Sequence, residues 1–209
     1  VVGVNWYEAL AYCAWLTELL ERFRRGEDLP QEHRELVEGL LEAGQRGLRG
    51  LTVVLPSEAE WVRAAGGEGN DDRYPWQPPA YAPSDSPPPR AGEGPGVGVE
   101  RAEVLARANV EESGLGHTTP VAMYPAGACF PSGAEDGIMD LAGNVWEWTR
   151  DPWEEESPYK ALRGGAWLWE ADRARAGSRY GGPPEILPLF DHNGGFRVCA
   201  RCSPPVVDI

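Results

Sequence analysis

From Asn5 to Arg24 the chain alternates apolar and polar residues at helical spacing. Trp6, Leu10, Cys13, Leu16, Leu19, Leu20 and Phe23 fall on one side of the resulting cylinder. Asn5 is a capping residue and Glu8 stands three positions later, the reciprocal arrangement that starts a helix. Gly26 and Pro30 end it. A second amphipathic pattern over Pro30 to Ala43 puts Leu36, Val37, Leu40 and Leu41 on one face. Leu51 to Leu55 is a β-prone run. Ser57 then caps a third helix, with Glu60 completing the capping box and Trp61, Ala64 and Ala65 facing inward.

Beyond Gly66 the pattern changes. To about Gly98 the residues are mainly Pro, Gly, Ser and Asp, with Pro87, Pro88 and Pro89 at the centre, a composition unable to bury a core of its own. It predicts an irregular surface loop with a mobile tip near residues 84–98. Short β-like pieces follow at Thr119 to Tyr124, Gly143 to Trp148, Ala161 to Trp167 and Gly195 to Val198, parted by glycine turns. Helices first and a small, mostly antiparallel sheet afterwards predict an α+β domain.

Composition refines this picture. At 209 residues with 42% hydrophobic side chains, the chain suffices for one domain with a sizeable core. Nine tryptophans suit a loop-rich fold, because each indole covers irregular backbone and still offers an N–H. A net charge of −14 argues against nucleic acid as a partner. No apolar run approaches the roughly 20 residues that span a bilayer, and no signal-peptide pattern opens the chain, which favours the cytoplasm and no membrane insertion. The start at Val1-Val2-Gly3-Val4, without a methionine, suggests a piece of a longer protein. Lys160 is the only lysine among 19 basic residues, as in a GC-rich or heat-adapted source. Cys13, Cys129, Cys199 and Cys202 are too scattered for a disulfide framework, and Cys199 and Cys202 lack the second pair that structural zinc needs.

Seven segments in one order carry a resemblance. They are Val4-Asn5-Trp6-Tyr7-Glu8-Ala9 through Tyr12-Cys13; Leu55-Pro56-Ser57-Glu58-Ala59-Glu60-Trp61; Tyr74-Pro75-Trp76; and Thr118-Thr119-Pro120-Val121. Met139 through Thr149, Leu162-Arg163-Gly164-Gly165-Ala166-Trp167, and Gly195-Phe196-Arg197-Val198 complete the set. Together they resemble the formylglycine-generating-enzyme (sulfatase-modifying factor) family, which implies a C-type-lectin-like fold over residues 1–209. Against the family pattern, the opening strands are missing or lie outside this sequence, and residues 17–50 carry a helical insertion. Trp146 and Trp148 alternate with Glu147 as in a half-buried strand. Arg163 and Arg197 are expected to pair with a carboxylate or with loop carbonyls.

The resemblance also implies a chemistry, and this sequence lacks its ligands. The family's enzymes bind copper through two cysteines shortly after the Gly-Gly motif. Those positions fall here at Trp169 and about Ala174, and neither side chain ligates a soft metal. A sulfoxide-forming branch binds iron through histidines. His33, His117 and His192 are the only ones present, and nothing in the sequence groups them. Neither copper nor iron is expected. The family's calcium position transfers to Asp140, the carbonyls of Gly143 and Val145, and Glu147, a hard-oxygen set suited to calcium. Asn109 and Val110 match part of a second such site, with Ser113 where a carboxylate is expected.

Between the Gly-Gly motif and Gly195 lies the face that binds substrate in the enzymes. Leu168, Trp169, Glu170, Asp172, Arg173 and Tyr180 occupy its first part. Glu185, Ile186, Leu187, Leu189, Phe190, Asp191 and His192 follow. Large, chemically mixed side chains between frame motifs suit a recognition surface. The layout resembles the variable proteins of diversity-generating retroelements, which implies that residues 162–198 are a diversified ligand-binding region. The expected function is non-catalytic binding of a ligand, a protein foremost. The rivals are an oxidase of the formylglycine-generating or sulfoxide-forming type and a fixed accessory domain of a signalling or effector protein.

Overall fold

The computed structural model describes residues 2–44, 51–67, 72–77, 101–131, 137–185 and 193–202. Helix α1 spans Trp6–Arg24, and its start is the capping box read from the sequence: the Asn5 side chain accepts the Glu8 N–H at 3.0 Å, and the Glu8 carboxylate accepts the Asn5 N–H at 2.8 Å. Helix α2, Gln31–Gly44, lays Val37, Leu36, Leu40 and Leu41 against the core that α1 helps to build. The extra helical segment is therefore part of the packing and not an ornament.

Strand β1, Leu51–Val54, runs antiparallel to β6, Cys199–Cys202, joining the early helices to the last described residues. Thr17 ties α1 to this pair, since its hydroxyl oxygen accepts the Val53 N–H at 2.9 Å. Helix α3, Glu58–Ala64, begins with a second capping box between Ser57 and Glu60. A short helix α4 covers Arg101–Leu105.

The larger sheet has the order β4–β3–β2–β5, where β2 is Trp146–Pro152, β3 Lys160–Arg163, β4 Arg179–Gly182 and β5 Gly194–Gly195. Its pairings are antiparallel except for β2 with β5. Two indoles lock α1 to it: Trp6 donates to the Thr149 carbonyl and Trp148 to that of Val4, each at 2.9 Å.

Several expectations change. Of the strands expected at Ala161 to Trp167 and Gly195 to Val198, the first ends at Arg163 and the second keeps only Gly195. The strand expected at Thr119 to Tyr124 is a turn followed by a 3-10 helix over Pro125–Gly127. Ala122 there takes a positive φ of 62°, and the prolines at 120 and 125 lack the N–H a ladder needs. Strand β2 is also not half-buried. Trp146, Glu147 and Trp148 are all buried, because Trp61 and Arg197 cover the Glu147 face. Most of the Pro/Gly-rich stretch from 66 to 98, its expected mobile tip included, lies outside the described residues.

Candidate functional site

Strand β3 delivers the chain to Gly164 and Gly165, with φ of +97° and +76°. At Gly165 a Cβ would stand 2.7 Å from the Arg173 carbonyl oxygen, so glycine lets the following loop fold back on its own hinge. That loop is pinned at several points. The Gly164 carbonyl accepts the Gly143 N–H at 2.7 Å, Trp167 N–H reaches the Asn144 carbonyl at 3.1 Å, and Glu111 N–H reaches the Trp169 carbonyl at 3.0 Å. A 3-10 helix, Ala171–Ala174, ends the loop, and the Glu112 carboxylate accepts the Ala171 N–H at 3.0 Å.

Two arginines brace the frame from below. Arg163 donates to Glu58 at 2.8 Å and to the carbonyls of Ala176, Gly177 and Ser178. Burial pulls the pKa of its guanidinium down, against the pull of Glu58. Arg179 shares the same Glu58 carboxylate and lies over the Trp153 ring at 4.5 Å.

On this frame the predicted recognition residues divide. Trp169 is half-buried, its ring edge-on to Trp146 at 6.0 Å and 5.7 Å from that of Tyr180. Tyr180 reaches Trp146 at 5.7 Å, which closes an aromatic trio under the loop. Leu168 (37% exposed), Glu170, Asp172 and Arg173 stand outward on the same turn, and Arg173 lies 5.9 Å from the Trp169 ring centre. Trp169 is thus a platform for its neighbours more than a free contact. Glu185 is exposed beside Pro184, whose carbonyl accepts the Trp6 N–H, so it borders the start of α1. Ile186, Leu187, Leu189, Phe190, Asp191 and His192 lie outside the described residues.

Beside the loop a cleft of about 350 Å³ opens. Glu170, Ala171, Asp172 and Arg175 form one wall, and Arg101, Val104, Leu105 and Glu112 the other, with Tyr74 among them. Sequence reasoning missed this cleft except for Glu170 and Asp172. Its walls come from three distant segments, and no local periodicity marks them.

The calcium set does not fit an ion in this arrangement. Both Glu147 oxygens are held by Arg197, at 2.5 and 2.6 Å, and one also accepts the Trp61 indole N–H at 2.6 Å. Asp140 accepts the Ala122 N–H at 2.7 Å, the Gly143 carbonyl accepts the Val145 N–H, and Arg197 donates to the Asp140 carbonyl. A guanidinium thus supplies the positive charge these oxygens would otherwise seek. At the second position, Asn109 Oδ1 accepts the Ser113 hydroxyl and the Val110 carbonyl accepts the Ser113 N–H. His33 packs edge-on to Trp15, His117 contacts the Thr118 carbonyl, and His192 falls outside the described residues.

A family model for the sulfatase-modifying factor enzyme 1-like domain matches residues 1–202. The chain belongs to this family. It shares the C-type-lectin-like α+β fold of the formylglycine-generating type, as the seven motifs implied. Among its relatives in the family, the inactive C-alpha-formylglycine-generating enzyme 2 of Bos taurus is 28% identical over 211 residues, covering 98% of this chain and 51% of that protein. A hercynine oxygenase of Mycolicibacterium thermoresistibile is 30% identical over 197 residues, 81% of this chain and 37% of that one. The solved structure of Treponema denticola variable protein 1 matches 98% of this chain and 71% of its own, with a TM-score of 0.56 and 21% identity. The chain spans about half the length of the bovine relative. Among the described residues no helix is long and apolar enough to cross a membrane.

Proposed function

We propose that this domain recognises a protein ligand without catalysing a reaction on it, through the surface that the loop of Leu168 to Arg173 presents. One observation carries the reading: where the family's enzymes hold copper thiolates, this chain has Trp169 packed on Trp146 and Tyr180, and a buried Ala174. Neither side chain donates a soft ligand. The space is filled by aromatic packing, while the neighbouring side chains are turned to solvent on a loop held by backbone hydrogen bonds. A loop ordered before its ligand arrives loses less entropy on binding. The relatives include a protein named inactive, in keeping with this reading.

The same layout supports diversification. Frame residues Arg163, Gly164 and Gly165 are fixed by their contacts, whereas Leu168, Glu170 and Arg173 are free to change without disturbing them. The fold shared with Treponema denticola variable protein 1 supports this too.

A displayed peptide and protein library selected on the immobilised domain tests the recognition reading. Binders are expected whose capture is lost with the double variant Leu168→Ala, Arg173→Glu at an unchanged thermal midpoint. Binders indifferent to that variant would move recognition elsewhere. Diversification is tested in the flanking DNA, where a reverse-transcriptase gene and a near-copy of the codons for 162–198, differing mainly at adenines, are expected. Absence of both would leave a fixed binding domain.

A further inference from the structure

A row of aromatic rings lies open along one flank of α1, and three elements build it. Phe196, in the chain after β5, meets Tyr12 at 5.4 Å between ring centres. Tyr12 meets Trp15 at 5.5 Å, and Trp15 meets His33, near the start of α2, at 5.4 Å. Tyr12 and Trp15 stand three residues apart, outside the buried stripe of Cys13, Leu16 and Leu20 that faces the core. Tyr12 is 38% exposed and Trp15 40%, so two large rings at the middle of the row face solvent.

The ring planes narrow what the row can hold. Successive planes are tilted by 64°, 45° and 75°, so the surface is notched and offers no flat platform for a base or a sugar face. A notch takes a narrow, rigid edge, and the pyrrolidine ring of proline has that shape. The three steps of 5.4 to 5.5 Å match about five residues of a polyproline helix, which rises about 3.1 Å per residue. Such a helix is formed before it docks, so aromatic-lined surfaces hold it at a low ordering cost. Its carbonyls bond nothing within the helix, and a tyrosine hydroxyl and a tryptophan N–H are donors suited to them.

Charge narrows the partner further. Glu8 and Glu18 lie on the same flank, one turn before Tyr12 and one turn after Trp15, and Glu32 adjoins His33 with 83% of its side chain exposed. Glu8 accepts the Asn5 N–H and Arg25 donates to Glu18 at 3.1 Å, yet both residues stay exposed. With a net charge of −14 behind them, these carboxylates steer a basic segment to the row and repel an acidic one. We propose that the row of Phe196, Tyr12, Trp15 and His33 docks a proline-rich segment of a partner protein, with basic residues flanking its prolines. The prolines fill the notches between rings, and the basic side chains meet Glu8, Glu18 and Glu32. This surface shares no residue with the loop of Leu168 to Arg173, so the inference stands whether or not that loop recognises a ligand.

The test titrates capped peptides into isotope-labelled protein followed by NMR: oligoproline flanked by arginines, oligoproline flanked by glutamates, and a glycine-serine chain flanked by arginines. The first is expected to shift the amide signals of Tyr12, Trp15 and Phe196 saturably, in the sub-millimolar range. The second is expected to bind at least roughly threefold more weakly, the scale of one exposed ion pair, and the third to leave those signals in place. Trp15→Ala is expected to weaken the first peptide roughly tenfold or more, as loss of an aromatic anchor does. Trp15 also packs on His33, so Glu32→Lys serves as a variant confined to the surface. It is expected to weaken the arginine-flanked peptide and strengthen the glutamate-flanked one at an unchanged thermal midpoint. No saturable shift with arginine-flanked oligoproline, an equal response to either other peptide, or a Glu32→Lys variant that binds as wild type would each overturn the proposal. A cello-oligosaccharide that shifts the same signals while oligoproline does not would make the row a sugar surface and overturn it too.

Discussion

Arg197 grips the carboxylate of Glu147 at both oxygens, 2.5 and 2.6 Å away, where only 7% of the Glu147 side chain is exposed. The pair joins the start of β2 to the chain beyond β5, and the Trp61 indole brings α3 to the same carboxylate. Removing one member leaves the other charge without its partner in a largely dry site. Glu147→Gln is expected to cost about 3 kcal/mol in denaturant unfolding, the lower end for a buried pair because Arg197 keeps some solvent contact. The double variant Glu147→Leu, Arg197→Met is expected to recover part of that loss. A single variant within the error of wild type would show that the pair contributes no net stability.

The same geometry sets an expectation for calcium. A ligand bound only by the native state raises the melting temperature, but here an ion would have to displace Arg197 from Glu147. Millimolar calcium and EDTA are therefore expected to give the same midpoint in a thermal scan. A calcium-dependent rise of several degrees would mean that Arg197 yields its place.

Glu60 predicts a pH effect. Burial works against its ionisation, but the Ser57 N–H at 2.7 Å and the Arg201 guanidinium outweigh that and hold its pKa below the usual carboxylate value. A depressed folded-state pKa gives stability that is whole above the unfolded glutamate value of about 4.3. That stability is lost as pH falls through the lower folded-state value. Wild type is expected to exceed Glu60→Gln in stability near neutral pH, with the gap narrowing below about pH 4.3. Paired melts across that window check it. A gap constant down to pH 3 on the acid side, about a unit below the glutamate value, would refute it.

Gly165 controls the placement of the recognition loop. Alanine there would take a left-handed backbone conformation, costing about 1–3 kcal/mol, and its Cβ would press on the Arg173 carbonyl. Gly165→Ala is expected to lower the melting temperature and to change the near-UV circular dichroism of the Trp146, Trp169 and Tyr180 trio. A variant matching wild type in both would mean that the hinge does not hold the loop as described.

The features legible in the sequence are those set by neighbours along the chain. The Asn5–Glu8 and Ser57–Glu60 capping boxes appear where they were read, because the partners of each hydrogen bond lie three residues apart. The apolar stripe of α1 does as well, since helical spacing alone decides which residues share a face. Arg163 and Arg197 could be expected to pair, but the sequence did not name Glu58 and Glu147 as their partners. Burial on both faces of β2 was not legible either, because the groups covering Glu147 arrive from α3 and from the chain after β5. Thr119 to Tyr124 read as a strand from its composition, but a strand needs a partner, and the chain turns there instead. Only the tertiary structure decided that Trp169 joins Trp146 and Tyr180 in an aromatic trio. It also brought Tyr74, Glu112 and Glu170 to one cleft, because both arrangements depend on contacts between segments far apart in the chain, and hydrophobic burial is blind to sequence distance.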